Sequence, residues 1–278
     1  MRNTGKNTIR NERGVALLIV LLVTALLIAL VFEFAYGTRV SLRAAVNYRD
    51  SQRAYFLSRS GVNFAGTLLA DNLKNGKLLD DLEQRDCDRP LPFIPGEDTV
   101  LRVCWEDESG KINVSAVAKG NEAYNRLSKL FDIRGINQET LDRISAWMIE
   151  EKRNFYVLTE LHRFLSDDEF RKVADFVTVS PVSKININTA SAEVLQSLGL
   201  TASAAGMIVE KRAGEPFDEQ GEVNTAPGVD ATIAGQLGIT SNTFKVDSYA
   251  TVGGYTKQVQ AVITRTSSGF TISYWRAL

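Results

Sequence analysis

The pattern of apolar and polar positions divides the chain at one glycine. Residues 1–14 are polar and end in Arg13-Gly14, whereas the next eighteen, Val15 to Phe32 (VALLIVLLVTALLIALVF), carry no charge. As a helix that run is roughly 27 Å long, about the thickness of a bilayer core. Helical patterning continues beyond it. No proline occurs between Glu33 and Asn75, and the first in the chain is Pro90. Phe34, Tyr48, Tyr55, Val62 and Leu69 recur at heptad-compatible spacing, with Ala44, Phe56 and Ala65 on adjoining positions. Arg39, Arg43, Arg49, Asp50, Arg53 and Arg59 fall between them. This predicts an amphipathic helix that prolongs the apolar one as a single rod. Gly37, Gly61 and Gly66 weaken it locally.

The texture then changes three times. Asn75-Gly76, Asp80-Asp81 and the prolines at 90, 92 and 95 predict a loop. TVLRVCW (99–105) alternates as a strand, Glu106–Gly110 reads as a turn, and Lys111–Val114 returns, so a hairpin is expected. From about Val117 to Gly238 the segments are short and helical. One begins after Gly135 with Asn137 as cap, and another opens with Ser166 and Glu169 at capping-box spacing. Two more flank Leu198-Gly199-Leu200. After Thr240, TFKVDSYATV, YTKQVQAVITRT and FTISYW read as three antiparallel strands joined at Gly253-Gly254 and Ser267-Ser268-Gly269. Such a meander needs a cover on one face, which the amphipathic half of the rod can supply.

The expected fold is therefore α+β: a long N-terminal, membrane-spanning helix on a C-terminal antiparallel sheet, with a large inserted all-helical lobe. The divisions are 1–14 (basic leader), 15–75 (helix, with 15–32 transmembrane), 76–116 (loop and hairpin), 117–239 (inserted lobe) and 240–278 (C-terminal strands).

Composition narrows the chemistry. The 278 residues are 44% hydrophobic and 23% charged, with a net charge of −1, which argues against a general nucleic-acid binder. One histidine, His162, and two cysteines, Cys87 and Cys104, leave no His/Cys zinc set. His162 has no nucleophile partner in sequence, and no enzymatic activity is expected. Trp105, Trp147 and Trp275 read as core or interface residues.

Arg2, Lys6, Arg10 and Arg13 against Glu12 place the N-terminus in the cytoplasm and the remainder outside. Three readings fit the apolar run: a secretory signal cut near Ala35-Tyr36-Gly37, a plain anchor, or a segment trimmed at its cytoplasmic start. The basic leader ending in glycine, the apolar half-helix and the amphipathic half-helix together resemble the type IV pilin and pseudopilin family. That resemblance implies cleavage by a prepilin peptidase between Gly14 and Val15 and methylation of the new amine on Val15. Most members carry glutamate at the fifth mature position, where this chain has Ile19. The glutamate pairs with the terminal amine of a neighbouring subunit. Unpaired, a carboxylate in hydrocarbon costs several kcal/mol, so an apolar residue suits a first subunit that has no such neighbour.

The lack of that glutamate and the large helical insertion resemble the minor pseudopilin K of type II secretion systems. The resemblance implies a tip position on a periplasmic pseudopilus, with I- and J-type minor pseudopilins, the major pseudopilin and the prepilin peptidase as partners. It also implies a single-pass inner-membrane location in a Gram-negative bacterium, with the C-terminal domain in the periplasm. Rod packing on the partners is expected through Tyr48, Tyr55, Val62 and Leu69. Calcium is implied for some members. Here the acidic clusters Asp86, Asp88, Glu97, Asp98 and Glu106, Asp107, Glu108 lack the spacing of a calcium loop and read as solvated. In a periplasm Cys87 and Cys104 are expected to form a disulfide, the alternative being two buried thiols.

KININTASAEVLQSLGLTASAAGMIVEKR also resembles the helix-hairpin-helix modules (SAM-like) of DNA-uptake and repair proteins. Gly199 is present, but Thr201 occupies the place of the second glycine. Lys184, Lys211 and Arg212 stand against Glu193, Glu210, Glu215, Asp218, Glu219 and Glu222, so three positive and six negative charges give −3. That balance repels phosphate. A minor type IV pilin or DNA-uptake protein with a DNA-binding lobe is the alternative, and no nucleic-acid partner is expected.

Overall fold

The computed structural model describes residues 9–74, 91 and 98–278. The chain forms two units, Met1–Arg53 and Ala54–Leu278. One helix, α1 (Ile9–Lys74), runs through both.

In the first unit every residue from Gly14 to Ala45 is exposed, including the whole apolar run. By length and composition this helix can cross a membrane. An all-apolar surface without a protein cover is stable where the solvent is hydrocarbon.

The second unit has two cores. The first is a four-stranded antiparallel sheet in the order β1-β6-β7-β8: β1 (Thr99–Asp107), β6 (Thr243–Val252), β7 (Tyr255–Thr266) and β8 (Gly269–Ala277). The three predicted C-terminal strands are thus present. Gly253 and Gly254, at φ +56° and +84°, make the two-residue turn that brings Val252 opposite Tyr255. Alternation decides which side is buried. Phe244, Val246 and Ala250 of β6 and Val259, Ala261 and Ile263 of β7 meet Val62, Ala65 and Leu69 from the last turns of α1. Each such buried Val, Leu, Ile or Phe contributes about 1.5–3 kcal/mol, and each alanine less. Gly61 and Gly66 allow the close approach. A Cβ at Gly61 would stand 2.7 Å from Val103 Cγ2, and one at Gly66 would stand 2.6 Å from the Phe270 ring.

The expected hairpin between 99–105 and 111–114 does not form. β1 pairs instead with β6, from Thr99 opposite Val252 to Asp107 opposite Phe244. The short strand β2 (Ile112–Asn113) leaves the sheet and pairs in parallel with β3 (Val177–Thr178). Gly110 sets that departure, because a Cβ there would stand 2.7 Å from Thr189 Oγ1.

Between β1 and β6 lies the lobe. It holds α2 (Glu122–Arg134), α3 (Gln138–Glu150), α4 (Asp167–Val173), α5 (Ala192–Ser197), α6 (Ala202–Gly214), α7 (Gln220–Asn224) and α8 (Ala231–Gln236). Leu127, Leu130, Phe131, Leu141, Ile144 and Phe217 lie in its own core. The lobe is not purely helical, since β4 (Ile185–Asn186) also pairs in parallel with β5 (Leu237–Gly238). Two of its helices, α3 and α4, start where the sequence predicts. Asn137 accepts from Glu139 N, while Ser166 and Glu169 cap each other's backbone amides.

Candidate assembly surfaces

At the N-terminal segment Gly14 and Val15 lie in continuous helix. Val15 is 57% and Ile19 is 55% exposed, so Ile19 is one apolar position among many and no polar group interrupts the surface there. The four expected rod-packing residues separate. Tyr48 is exposed and Tyr55 half-buried, but Val62 and Leu69 are fully buried against the chain's own sheet. This is a correction: the heptad-like stripe from Tyr55 onward is used within the chain, and Val62 and Leu69 offer no surface to a partner rod. Sequence spacing specifies an apolar face without specifying what covers it.

The join between sheet and lobe is a buried polar cluster. Asp107, the last residue of β1, is 6% exposed. Its carboxylate accepts from Ser109 N at 2.7 Å, Thr189 Oγ1 at 2.5 Å and Ser241 Oγ at 2.5 Å. Asn186 of β4 donates to the same Ser241 hydroxyl at 2.7 Å. Glu108 accepts from Thr178 Oγ1. Lys111 Nζ lies 2.7 Å from Glu106 and 2.9 Å from Glu108. Burial alone would lower the Lys111 pKa; the carboxylates of Glu108 and Glu106 outweigh it and raise the value above its ordinary 10.5.

Arg265, at an inward position of β7, closes the cluster from below. Its Nε donates to Ser241 O at 2.7 Å, and its Nη1 donates to Leu69 O of α1 at 3.3 Å. The guanidinium lies over the Phe244 ring at 5.0 Å. One side chain thus ties the rod, the sheet and the lobe's exit together. Sequence reasoning missed it, although strict alternation after Val259, Ala261 and Ile263 places residue 265 inside.

The acidic segment 106–108 is accordingly part of the fold rather than a solvated loop. Its oxygens are engaged by Lys111, Ser109, Thr178, Thr189 and Ser241. Of the other acidic cluster, Asp86, Asp88 and Glu97 lie outside the described residues. No group of three or more His, Cys, Asp or Glu among the described residues is placed to hold a metal ion. Cys104 is disulfide-bonded; Cys87, its expected partner, lies outside the described residues.

The hairpin between α5 and α6 forms, with Gly199 at φ +118° and Thr201 capping α6 through Ala204 N. Of its three basic residues, Arg212 is buried in the lobe, whereas Lys184 and Lys211 are exposed. Arg212 is 6% exposed and donates to Ile187 O at 2.6 Å and Ala190 O at 2.5 Å. Burial lowers its pKa to about 10. Lys211 lies 3.4 Å from Glu222 and 4.1 Å from the centre of the Phe217 ring. The segment is net acidic and Arg212 is spent inside the lobe, which leaves Lys184 and Lys211 as its exposed cations against six carboxylates, a balance that disfavours phosphate. His162 stacks on Phe170 at 4.0 Å and lies 3.2 Å from Asp167.

Comparison with known proteins bears on both the lobe and the whole chain. Residues 185–246, from β4 into the start of β6, match the family described as type II secretion system (T2SS), protein K. The type II secretion system protein K of Pseudomonas aeruginosa is 24% identical over 251 residues, covering 76% of this chain and 75% of its own. A chain in the crystal structure of the GspK-GspI-GspJ complex from the enterotoxigenic Escherichia coli type 2 secretion system superposes with a TM-score of 0.65. That match covers 84% of this chain and 99% of the other at 18% identity, and it establishes a shared fold.

Proposed function

We infer that this chain is a K-type minor pseudopilin of a type II secretion system. It sits at the tip of a periplasmic pseudopilus, where it starts assembly with I- and J-type minor pseudopilins and supports export of folded proteins across the outer membrane. The observation that carries this reading is the insertion: a folded lobe enters and leaves between β1 and β6, adjacent strands of the sheet that packs on the rod.

The physical account follows from the two units. The run Val15–Phe32 anchors the chain in the inner membrane with the second unit in the periplasm. A prepilin peptidase cuts between Gly14 and Val15, and the Val15 amine is methylated. Ile19 puts no carboxylate into hydrocarbon, so the subunit needs no amine from an earlier one and can begin a filament. The lobe's bulk then leaves room for one copy at the tip and prevents self-polymerisation. The role is scaffolding, and no catalytic step is assigned. The matched proteins are named for type II secretion and for a complex of K, I and J subunits, which supports the same partners here.

Deleting the gene in its host and assaying culture medium and periplasm for exoproteins tests the reading. The expected result is periplasmic accumulation, reversed by the full chain. Undiminished export accompanied by loss of surface pili or of DNA uptake would overturn it.

A further inference from the structure

Membrane topology does not call for the basic residues just beyond the apolar run. Orientation bias gathers Lys and Arg on the cytoplasmic side, where the leader already carries Arg2, Lys6, Arg10 and Arg13. Arg39 and Arg43 nevertheless follow Phe32 on the outer side. Both are exposed, and neither has a carboxylate partner among the described residues. Helix geometry lines them up with two aromatic rings. Phe32, Tyr36, Arg39 and Arg43 follow one another at spacings of four, three and four. At about 100° per residue this confines them to a sector of about 60° on one side of α1. Phe32 and Tyr36 are each 72% exposed, while Glu33 and Phe34 project to other sides. One face thus passes from an apolar ring to a phenol to two guanidiniums as it leaves the hydrocarbon.

That order matches the layers of a phospholipid leaflet. The headgroup layer extends about 5–8 Å beyond the hydrocarbon. Counted from Phe32 at about 1.5 Å per residue, Tyr36 stands about 6 Å out, Arg39 about 10 Å and Arg43 about 16 Å. Side chains on a helix lean toward its N-terminus, so both arginines reach back toward the membrane. Their flexible stems carry the guanidiniums to the phosphates, and a tyrosine at this level keeps its ring inward and its hydroxyl among the headgroups. We propose that this face binds one anionic phospholipid of the periplasmic leaflet, with an acyl chain along Phe32 and the phosphate between Arg39 and Arg43. Guanidinium forks match phosphate oxygens, and two cations without a counter-ion favour a net negative headgroup over a zwitterionic one. Arg49 and Arg53 stand about 25 Å or more out, beyond a screening length near 8 Å, and take no part. The contact fixes the depth of the rod, which an apolar run that is uniform along its length does not fix by itself. The inference rests on the inner-membrane reading of Val15–Phe32.

The test uses the full-length chain, purified from membranes in detergent and mixed with equal amounts of phosphatidylglycerol and phosphatidylcholine. Native mass spectrometry then counts the lipid that each chain retains. Wild type should retain phosphatidylglycerol over phosphatidylcholine by about tenfold or more, at about fivefold for each arginine. Arg39→Gln with Arg43→Gln should lose that preference, and Arg39→Lys with Arg43→Lys should keep it. Arg49→Gln with Arg53→Gln should also keep it, because those residues lie beyond the headgroups. The side chains are exposed, so circular dichroism of every variant should match wild type, which separates lost lipid from lost folding. A membrane-inserted wild type without the preference overturns the proposal alone. So does a preference that survives Arg39→Gln with Arg43→Gln, or one lost equally in the Arg49 and Arg53 variant. A wild-type chain that stays in solution when membranes are removed by centrifugation overturns the inner-membrane reading and this inference together.

Discussion

Ser241 Oγ donates a 2.5 Å hydrogen bond to the Asp107 carboxylate across a sequence separation of 134 residues. Asp107 ends β1 and Ser241 stands two positions before β6, so the lobe leaves and re-enters the sheet at one carboxylate. Close-set ends are what let a folded insertion sit in a sheet without distorting its pairing. The flanking strands remain in register from Thr99 opposite Val252 onward.

Asp107→Asn should break that join. The amide would place a donor among hydroxyl and amide donors that converge on a buried acceptor. Hydrogen bonds to a charged group contribute about 1.5–3 kcal/mol each, so a loss of about 3 kcal/mol in urea unfolding is expected. Calorimetry should also resolve lobe and sheet as separate transitions, where wild type melts as one.

Gly66→Ala and Gly206→Ala should act in opposite directions. Both lie inside helices, where alanine is favoured by about 1 kcal/mol. At Gly206 nothing stands within 4 Å of the new Cβ, so a rise in stability of about 0.5–1 kcal/mol is expected. At Gly66 the Cβ would meet the Phe270 ring at 2.6 Å, and overpacking of about 1–3 kcal/mol outweighs the propensity gain. Thermal melts of the two variants distinguish them.

Lys111→Met leaves the buried Glu108 without its ion pair and should destabilise by about 3 kcal/mol near neutral pH. The folded pKa of Lys111 lies above the ordinary 10.5, so its contribution is fully present below that value. It is lost as pH rises through the raised value. The stability difference between wild type and variant should therefore stay constant up to about pH 10 and narrow above it.

Reducing the Cys104 disulfide, or replacing it by Cys104→Ser, should cost about 3 kcal/mol if the bond closes the sixteen-residue gap to Cys87. Guanidinium unfolding with and without reductant measures the loss, and Cys104→Ser should be insensitive to reductant.

Much of this architecture was legible in the order of residues because it is local. The uninterrupted run after Gly14, the caps at Asn137 and Ser166, and the Gly253-Gly254 turn each depend on neighbours a few positions away. What failed depends on distant partners. Glu106–Gly110 has turn composition, and only the approach of β6 shows that β1 has a better partner more than a hundred residues on. The heptad positions Val62 and Leu69 announced a buried face but not that the chain's own sheet buries it. Asp107 has no sequence signature at all, since a carboxylate in a polar segment reads as solvated until three donors converge on it. Arg265 follows the alternation of β7, although arginine is a residue type rarely placed inside.

The central claim is tested most directly by the intact mass of the mature chain, purified from cells with and without an active prepilin peptidase. A chain that begins at Val15 with a methylated amine, and that retains its leader when the peptidase is absent, is the predicted result. A chain that begins near residue 38, or one left uncut while the peptidase is active, would contradict the account.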